Sequence, residues 1–379
     1  IMKIGIISRT DLNNKLFWSG IPSTICEKFK KEKINVVKID NLNQNFRKLY
    51  VIKREYSKYF KKEKFDETYN IKVSKNYSNQ LSSRLKNISN LTHLLTFDMS
   101  LVSFLKTEIP IIVWTDTLYT DYYQNYFKDQ KISKSSLDDI KSLEFATVKK
   151  CKLILFSSRW SLNNAKQKYK KFKNKFKLLE FGPSLINEIS QKKIKKKIFK
   201  REKNKIKLIS LSVDKKRKGV DKQIRLMNYI NKQGIKCDLT IIGHKSKKDY
   251  KNPNLKFLGF INKNDVLGEN KISTYLLNSH FHVLFSKAEA YGISLIEANS
   301  RGLPNISFDV GGISHIIKNK INGKLFKKNE KIEIIGNYII STFSNVKKYR
   351  KLSISSYLEF KKKFNYVKII SNFKNLVSK

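Results

Sequence analysis

Two glutamates eight positions apart flank a turn that is rich in small residues. Residues 286–304 read SKAEAYGISLIEANSRGLP, with Glu289 before Gly292 and Glu297 after it. Carboxylates accept hydrogen bonds from hydroxyl groups, and the N–H groups that open a helix attract phosphate. A ligand with phosphate in its middle and hydroxyls at both ends, such as a nucleotide sugar, fits both features. Taken alone, the pair is also explained as two solvated charges on an ordinary surface helix.

The elements around the glutamates can be predicted from hydrophobic spacing. Residues 280–285 are an apolar run that predicts a buried strand, and the next apolar positions recur at helical spacing. The helix is predicted to begin near Gly292 and to end at Gly302. Glu297 then lies about five residues into the helix, roughly 7.5 Å from its start. The N–H groups from about Gly292 to Leu295 are expected to face a ligand above the strand end.

This order of strand, glutamate, turn, helix and second glutamate resembles the motif of glycosyltransferase family 4, the retaining group 1 enzymes of GT-B fold. The resemblance rests on EAYGISLIEANSRGLP and on Gly311 and Gly312, and similar segments cover nearly the whole chain, most strongly residues 206–326. It implies an α/β protein of two Rossmann-like domains whose parallel sheets face each other across a cleft. It also implies a retaining transfer of a hexose-type sugar from a nucleoside diphosphate sugar, with no metal and no other cofactor.

A basic loop follows the first predicted strand of the second half of the chain. Residues 214–219 read DKKRKG, and a cation in this loop can neutralise a diphosphate leaving group. Lys218 with Gly219 matches the Lys-Gly pair of the family. Many relatives also carry a Gly-Arg pair about six residues earlier, where this chain has leucine and serine. Arg217 or a neighbouring lysine is therefore the expected second cation.

The resemblance implies roles for the remaining site residues. Glu297 would accept from the ribose hydroxyls and Glu289 would contact the transferred sugar. Asp116, at the end of a predicted strand, matches a position where some relatives have histidine, so its role stays open. The predicted catalytic residues are Glu289 and Asp116, and the predicted donor-binding residues are Gly20, Arg217, Lys218, Gly219, Gly259, Phe260, Tyr291, Gly292, Ile293, Ser294 and Glu297. Gly20 lies in a first loop that covers either the donor phosphate or the acceptor in relatives, and Gly259 with Phe260 resembles the loop that holds the nucleotide base.

The strand and helix pattern restarts after residue 205, which predicts two domains. The first, residues 1–185, is expected to hold the acceptor, and residues 206–345 are expected to hold the donor. Residues 186–205 are rich in lysine and predict a solvated basic linker. Residues 346–379 predict helices, the last of which crosses back to the first domain in relatives.

The chain has 79 Lys and Arg residues against 31 Asp and Glu, a net charge of +48. The excess is concentrated away from the two glutamates: residues 151–250 hold 30 basic and 7 acidic residues, and residues 251–300 hold 5 and 4. A field of this size indicates an anionic partner, either nucleic acid or an anionic membrane surface.

One further helix is predicted in the first domain, within the polar stretch 44–90. Its apolar residues recur at helical spacing among lysines: Leu49, Ile52, Tyr56, Tyr59 and Phe60. Such a helix is either a solvated surface helix or a face that binds a membrane surface or the acceptor.

No apolar run reaches the about 18 residues that span a bilayer, and the first residues lack the layout of a signal peptide. The three cysteines form neither a metal spacing nor a disulfide framework, and His280 and His282 are interpreted as strand residues rather than metal ligands. We therefore expect a location in the cytoplasm, either free or peripheral on the inner face of the cell membrane.

The resulting prediction is a bacterial glycosyltransferase that uses a UDP- or GDP-sugar and a glycan or lipid-linked acceptor of the cell envelope. A basic nucleic-acid-binding protein is the alternative that explains the charge directly, but the sequence has no zinc spacing and no aromatic strand motif of that class. A nicotinamide-dependent oxidoreductase would need a GxGxxG motif after a first strand, and neither first strand has one. No specific nucleic-acid partner is therefore expected.

Overall fold

The computed structural model describes residues 2–44, 47–185, 187–244 and 252–378. The chain forms two compact units. Unit 1 comprises residues 1–180 and 370–379, and unit 2 comprises residues 181–369. The sequence pattern predicted the first domain to end at residue 185 and the second to begin at residue 206.

Unit 1 contains six strands and six complete helices within its described residues. The strands are β1 (Lys3–Ile7), β2 (Asn35–Ile39), β3 (His93–Thr96), β4 (Ile111–Thr115), β5 (Leu153–Phe156) and β6 (Phe176–Leu178). The helices are α1 (Ile21–Lys31), α2 (Arg47–Phe60), α3 (Ile71–Leu85), α4 (Tyr119–Tyr126), α5 (Lys134–Lys150) and α6 (Arg159–Lys168), and short 3₁₀ turns span Phe17–Gly20, Met99–Leu101 and Lys170–Lys175.

The sheet of unit 1 is parallel throughout, in the order β2-β1-β3-β4-β5-β6. The strands are apolar because helices cover both faces of the sheet, so that Ile4, Val113 and Ile154 are fully buried. Strand order reverses between β1 and β3. Ligands of open parallel sheets bind beyond the carboxyl ends of strands at such a reversal.

Unit 2 repeats this architecture. Its strands are β7 (Ile206–Leu211), β8 (Cys237–Ile242), β9 (Leu255–Gly259), β10 (Phe281–Leu284), β11 (Asn305–Phe308) and β12 (Gly323–Phe326). Its helices are α7 (Gln191–Phe199), α8 (Val220–Lys232), α9 (Val266–Asn278), α10 (Ile293–Asn299), α11 (Ile313–Ile316), α12 (Ile332–Ser344) and α13 (Val346–Lys363), and α14 (Tyr366–Val377) begins in unit 2 and ends in unit 1.

The sheet of unit 2 is also parallel, in the order β12-β11-β10-β7-β8-β9. Its order reverses between β7 and β10, the strands that precede the basic loop and the first glutamate. The prediction of two Rossmann-like parallel sheets is confirmed. The carboxyl ends of these two neighbouring strands are the part of unit 2 that this topology makes available to a ligand.

Local predictions were correct where the apolar period was strong. The strand before the glutamates is β10, and α10 begins at Ile293 with Gly292 as its N-cap. After β3 the chain forms only the short 3₁₀ turn Met99–Leu101. The side chain of Asp98 accepts from the Ser100 N–H and holds the tighter turn.

The segment predicted as a basic linker differs most from its sequence interpretation. Residues 191–199 form α7, with Ile194 and Ile198 buried in unit 2 and the lysines between them exposed. Two isoleucines four positions apart are enough to bury one stripe of a short helix. Arg201, which follows α7, is also buried.

The last residues of the chain supply part of the core of unit 1. Phe373 of α14 stacks on Trp114 with ring centroids 5.8 Å apart and packs on Phe29 at 4.9 Å.

Within the described ranges, no helix is both long enough and apolar enough to cross a membrane.

Candidate functional site

Two cations and one carboxylate meet at the strand-order reversal of unit 2. The basic loop after β7 brings Arg217 and Lys218 to the turn after β10, where Glu289 lies. The ammonium of Lys218 and the Nη1 of Arg217 both pair with Oε2 of Glu289, the latter at 3.2 Å. Ser286 donates to the same oxygen at 3.1 Å. Lys218 and Glu289, which the family resemblance assigns to the same donor, are therefore in direct contact.

Burial sets the electrostatics of this cluster. Burial alone would raise the pKa of Glu289, but Lys218 and Arg217 lower it below its ordinary value. Burial lowers the pKa of Lys218, although Glu289 opposes that effect. Glu289 is thus an ionised carboxylate that holds two cations beside a strand end, away from most of the solvent.

Backbone packing explains the glycines on both sides of the cluster. Gly219 has φ +69°, and a Cβ there would lie less than 3.0 Å from the carbonyl oxygen of Phe285. Gly311 has φ +55°, and a Cβ there would meet the carbonyl oxygen of Glu289 just as closely. The loops that carry Lys218 and Glu289 can approach this closely only without side chains at these two positions.

Glu297 lies on the buried side of α10 and is held by residues that the sequence did not indicate. Its Oε1 accepts from Nζ of Lys263 at 2.6 Å and from the hydroxyl of Ser184. Lys263 also donates to Ser184 at 3.0 Å. Glu297 is 1% exposed, so it is not one of two solvated surface charges.

The start of α10 presents polar groups near this pair of glutamates. Ile293 and Ser294 belong to the first turn, whose N–H groups have no helical carbonyl to bond. The Ser294 hydroxyl is buried, with no hydrogen-bond partner among the described residues. An unpaired buried hydroxyl carries a free-energy cost that a bound oxygen atom would remove.

Three further residues were predicted to bind the donor, namely Tyr291, Gly259 and Phe260. Tyr291 is 2% exposed, donates its hydroxyl to the Phe181 carbonyl at 2.8 Å, and packs edge-on against that ring. Its side chain is therefore part of the core. Gly259 ends β9 with φ +68° and accepts from the Gly243 N–H at 2.7 Å, while Phe260 is 59% exposed. Phe260 is thus free to contact a ligand.

The other two predicted residues belong to unit 1. Gly20 has φ +83° and is the N-cap of α1, directly after two more left-handed residues, Trp18 and Ser19. Asp116 follows β4, and its carbonyl accepts from the Ser161 hydroxyl. The eleven remaining predicted residues lie in unit 2.

The two histidines before the glutamates are strand-packing residues. His280 accepts from the Lys207 N–H at 2.9 Å, and His282 bonds the Asn305 side chain at 2.8 Å. Burial lowers the pKa of each to about 4, so both rings are neutral at pH 7.

Residues 190–358 match the family model described as glycosyl transferases, group 1. This part of the chain is a group 1 glycosyl transferase domain. It contains the basic loop, both glutamates and α10. The sequence-based prediction of the family and of a glycosyltransferase enzyme is confirmed. Among curated proteins, no sequence matches the chain.

Three solved structures of the same architecture are similar to this chain over essentially their whole length. Sucrose-phosphate synthase from Thermosynechococcus elongatus has a TM-score of 0.71 and 13% identity, covering 99% of this chain and 98% of that chain. WaaG, a glycosyltransferase involved in lipopolysaccharide biosynthesis, has a TM-score of 0.64 and 13% identity over 97% and 98%. HepE from Anabaena, solved with UDP and glucose, has a TM-score of 0.62 and 13% identity over 100% of both chains. The fold of this glycosyltransferase is GT-B.

Sequence reasoning missed a polar pair at the strand-order reversal of unit 1. Arg9 follows β1, Asp98 follows β3, and their Nη2 and Oδ2 atoms are 3.1 Å apart. The guanidinium lies over the rings of Phe17 and Tyr69, at 5.7 and 5.6 Å from their centroids. The only sequence signal was the position of both residues just after predicted strands, because no motif connects them.

Proposed function

We propose that this glycosyltransferase moves a hexose-type sugar from a UDP- or GDP-sugar to a glycan or lipid-linked acceptor of the cell envelope, with retention of anomeric configuration. The observation that carries this proposal is the buried cluster of Arg217, Lys218 and Glu289 at the strand-order reversal of unit 2. Two cations at such a position suit a diphosphate, and a carboxylate between them suits a sugar hydroxyl.

The cluster can assist departure of the nucleoside diphosphate. Negative charge grows on the leaving phosphate as the glycosidic bond breaks, and Lys218 and Arg217 would stabilise that charge in a site with little water. Arg217 takes the role of the missing Gly-Arg pair, since its guanidinium reaches the same carboxylate oxygen as Lys218. Glu289 keeps both cations in place before the donor arrives and then contacts the transferred sugar.

Glu297 and the first turn of α10 would hold the rest of the donor. Lys263 fixes one oxygen of Glu297, and the carboxylate held in this way would accept from the ribose hydroxyls. The N–H groups of Ile293 and Ser294, with the unpaired Ser294 hydroxyl, would bind phosphate oxygens. Gly259 and the exposed Phe260 would lie against the base. Gly20 and Asp116 remain proposed contacts of unit 1 with the donor phosphate or the acceptor.

Structural relatives support the substrate class. HepE is solved with UDP and glucose, and WaaG is involved in lipopolysaccharide biosynthesis. The corresponding proposal for this chain is a UDP- or GDP-sugar donor and an envelope acceptor, the acceptor being bound by unit 1 near Arg9 and Asp98. Neither a metal nor a further cofactor is part of this proposal. The high positive charge would keep the enzyme on the inner face of an anionic membrane.

The test is a panel of nucleotide sugars, scored by thermal shift and by release of nucleoside diphosphate. A donor that binds the folded protein raises its melting temperature by an amount that grows with the ratio of donor concentration to Kd. Product from the active donor, analysed by NMR, should keep the anomeric configuration of that donor. Absence of a shift with every donor, together with tight binding to nucleic acid, would overturn the proposal in favour of the nucleic-acid-binding alternative.

A further inference from the structure

The outer face of α2 is an uncovered apolar surface on unit 1. Five of its side chains are more than half exposed: Leu49 64%, Ile52 68%, Tyr56 52%, Tyr59 67% and Phe60 77%. At 100° per residue these positions fall within about 100° of the helix circumference. We call these five residues the apolar stripe of α2. Single exposed apolar residues are normal on a protein surface, but five on one face of a helix mark an interaction site.

The opposite face of α2 fixes the helix to unit 1. Tyr50 is buried and stacks on Phe65 with ring centroids 6.1 Å apart. Arg54 pairs with Glu67 at 2.8 Å. Ser57, on the same side, is 5% exposed. The contacts of Tyr50, Arg54 and Ser57 therefore fix the orientation of α2, with the apolar stripe on its outer side. The stripe is not a core face left open by poor packing.

The charges around the stripe indicate what covers it. Residues 49–62 carry five Lys or Arg residues and one glutamate. The ammonium of Lys58 lies 5.0 Å from the centroid of the Tyr59 ring, and that of Lys61 lies 5.9 Å from the centroid of Tyr56. Cationic groups thus border aromatic rings, as in helices that insert rings below the headgroups while their lysines reach the lipid phosphates.

We propose that α2 is the membrane-inserting element of this protein, with its apolar stripe below the headgroups of an anionic bilayer and its lysines at the phosphates. A 14-residue helix is about 21 Å long, which is too short to span a bilayer and fits an orientation in the plane of the interface. The occupant is a lipid surface because the rings of the apolar stripe have lysine ammonium groups beside them, from residues in the same helix or directly after it. The inference stands apart from the choice of sugar donor, which concerns unit 2.

A site-specific fluorescent label tests insertion directly. The native cysteines do not compete for the label, because Cys26, Cys151 and Cys237 are buried and burial raises the pKa of Cys26 and Cys151 to about 12. Tyr59→Cys carrying an environment-sensitive dye should show a blue shift with phosphatidylglycerol vesicles and none with phosphatidylcholine vesicles. Val367→Cys is the matched control, since Val367 is 63% exposed on another helix.

Substitution of the stripe provides the second measurement. Leu49→Ser, Ile52→Ser and Tyr59→Ser together should weaken partition onto anionic vesicles by about tenfold or more. The control variant combines Ile334→Ser, Leu358→Ser and Val367→Ser, which are also exposed apolar positions, and should partition like the native protein. Both variants should keep the native melting temperature and native donor affinity.

Three outcomes would overturn the proposal. One is native vesicle binding by the stripe variant. Another is an unshifted label at position 59 on vesicles that do bind the protein. The third is a blue shift that follows protein concentration without vesicles, which would identify a second copy of the chain as the occupant. Absence of donor binding by the native protein would count against the proposed enzyme activity and would leave the vesicle results valid.

Discussion

Each glutamate of the predicted site has a distinct set of partners. Glu289 is paired with two cations of the β7 loop, whereas Glu297 is paired with Lys263 from the segment between β9 and α9. The sequence assigned Lys218, Arg217 and Glu289 to the same donor through a family resemblance, without predicting that they pair with one another. It gave no sign of the second pairing, because Lys263 is one of many lysines and reaches Glu297 only through the packing of its segment.

Glu297→Gln should weaken donor binding while turnover at saturating donor stays near native. A charged acceptor of ribose hydroxyls contributes roughly 1.5 to 3 kcal/mol. Calorimetric titration of the nucleoside diphosphate measures the loss. Glu333→Gln, which changes an exposed carboxylate of the same unit, is the control. Native affinity in the Glu297 variant would remove this residue from the donor site.

Glu289→Gln should mainly lower turnover, because the sugar that it contacts changes in the transition state. We expect kcat to fall by about a hundredfold or more, the scale of one lost electrostatic contact in a buried site. Initial rates across donor concentrations separate kcat from KM. A rise in KM alone would show that Glu289 only binds the donor.

Glu289 should also contribute to loss of stability in acid. Its folded pKa is lowered, so its ionised form stabilises unit 2 above the unfolded pKa of about 4.3, and this stability is lost as the pH falls through the folded value. Unfolding midpoints between about pH 2 and 7 should therefore drop less steeply in Glu289→Gln than in the native protein. Unfolding midpoints that fall equally steeply with pH in both proteins would contradict an ionised Glu289.

At the scale of elements, α7 is a helix that the lysine-rich composition of its sequence did not indicate. Its lysine-rich sequence predicted a solvated linker, yet Ile194 and Ile198 pack into unit 2. Arg201 then donates to the carbonyl oxygens of Leu277 and Gly302, at 3.0 Å each, and to the Tyr349 hydroxyl at 2.8 Å. Although Arg201 lies in a lysine-rich stretch of the sequence, its guanidinium is buried and joins these three residues by hydrogen bonds.

Arg201→Gln should destabilise the protein by about 2 to 4 kcal/mol, because several buried acceptors lose their donor. The neighbouring Lys200→Gln changes an exposed side chain and should stay within about 0.5 kcal/mol of native. Chemical denaturation compares the two. Equal stability of both variants would show that the bonds of Arg201 add nothing to the fold.

At the scale of the whole molecule, the net charge of +48 lies largely outside the donor site. The exposed lysines of α7 and the basic border of α2 are separate parts of this surface. Each Lys or Arg near an anionic bilayer contributes on the order of 1 kcal/mol within about one Debye length. A handful of such residues is enough for reversible docking.

Replacing Lys195, Lys196, Lys197 and Lys200 with glutamine tests whether α7 takes part in docking. Arg201 is kept, since its loss would disturb the fold. If α7 faces the lipid, pelleting with anionic vesicles should weaken, should become less sensitive to salt, and should leave donor affinity unchanged. Unchanged pelleting at every salt concentration would assign docking to other surfaces, and equal recovery with neutral vesicles would reject an electrostatic contribution.

The amino-acid sequence determined the parallel sheets, the glutamate turn and the Lys218 loop, because strand length, helical period and glycine positions are local properties. Tertiary structure alone decided that Lys263 meets Glu297, that Tyr291 is a core residue and that Arg201 is buried. It also decided that the apolar stripe of α2 faces outward. Spacing along a helix tells which residues share a face. Whether that face is covered depends on what other parts of the chain pack against it.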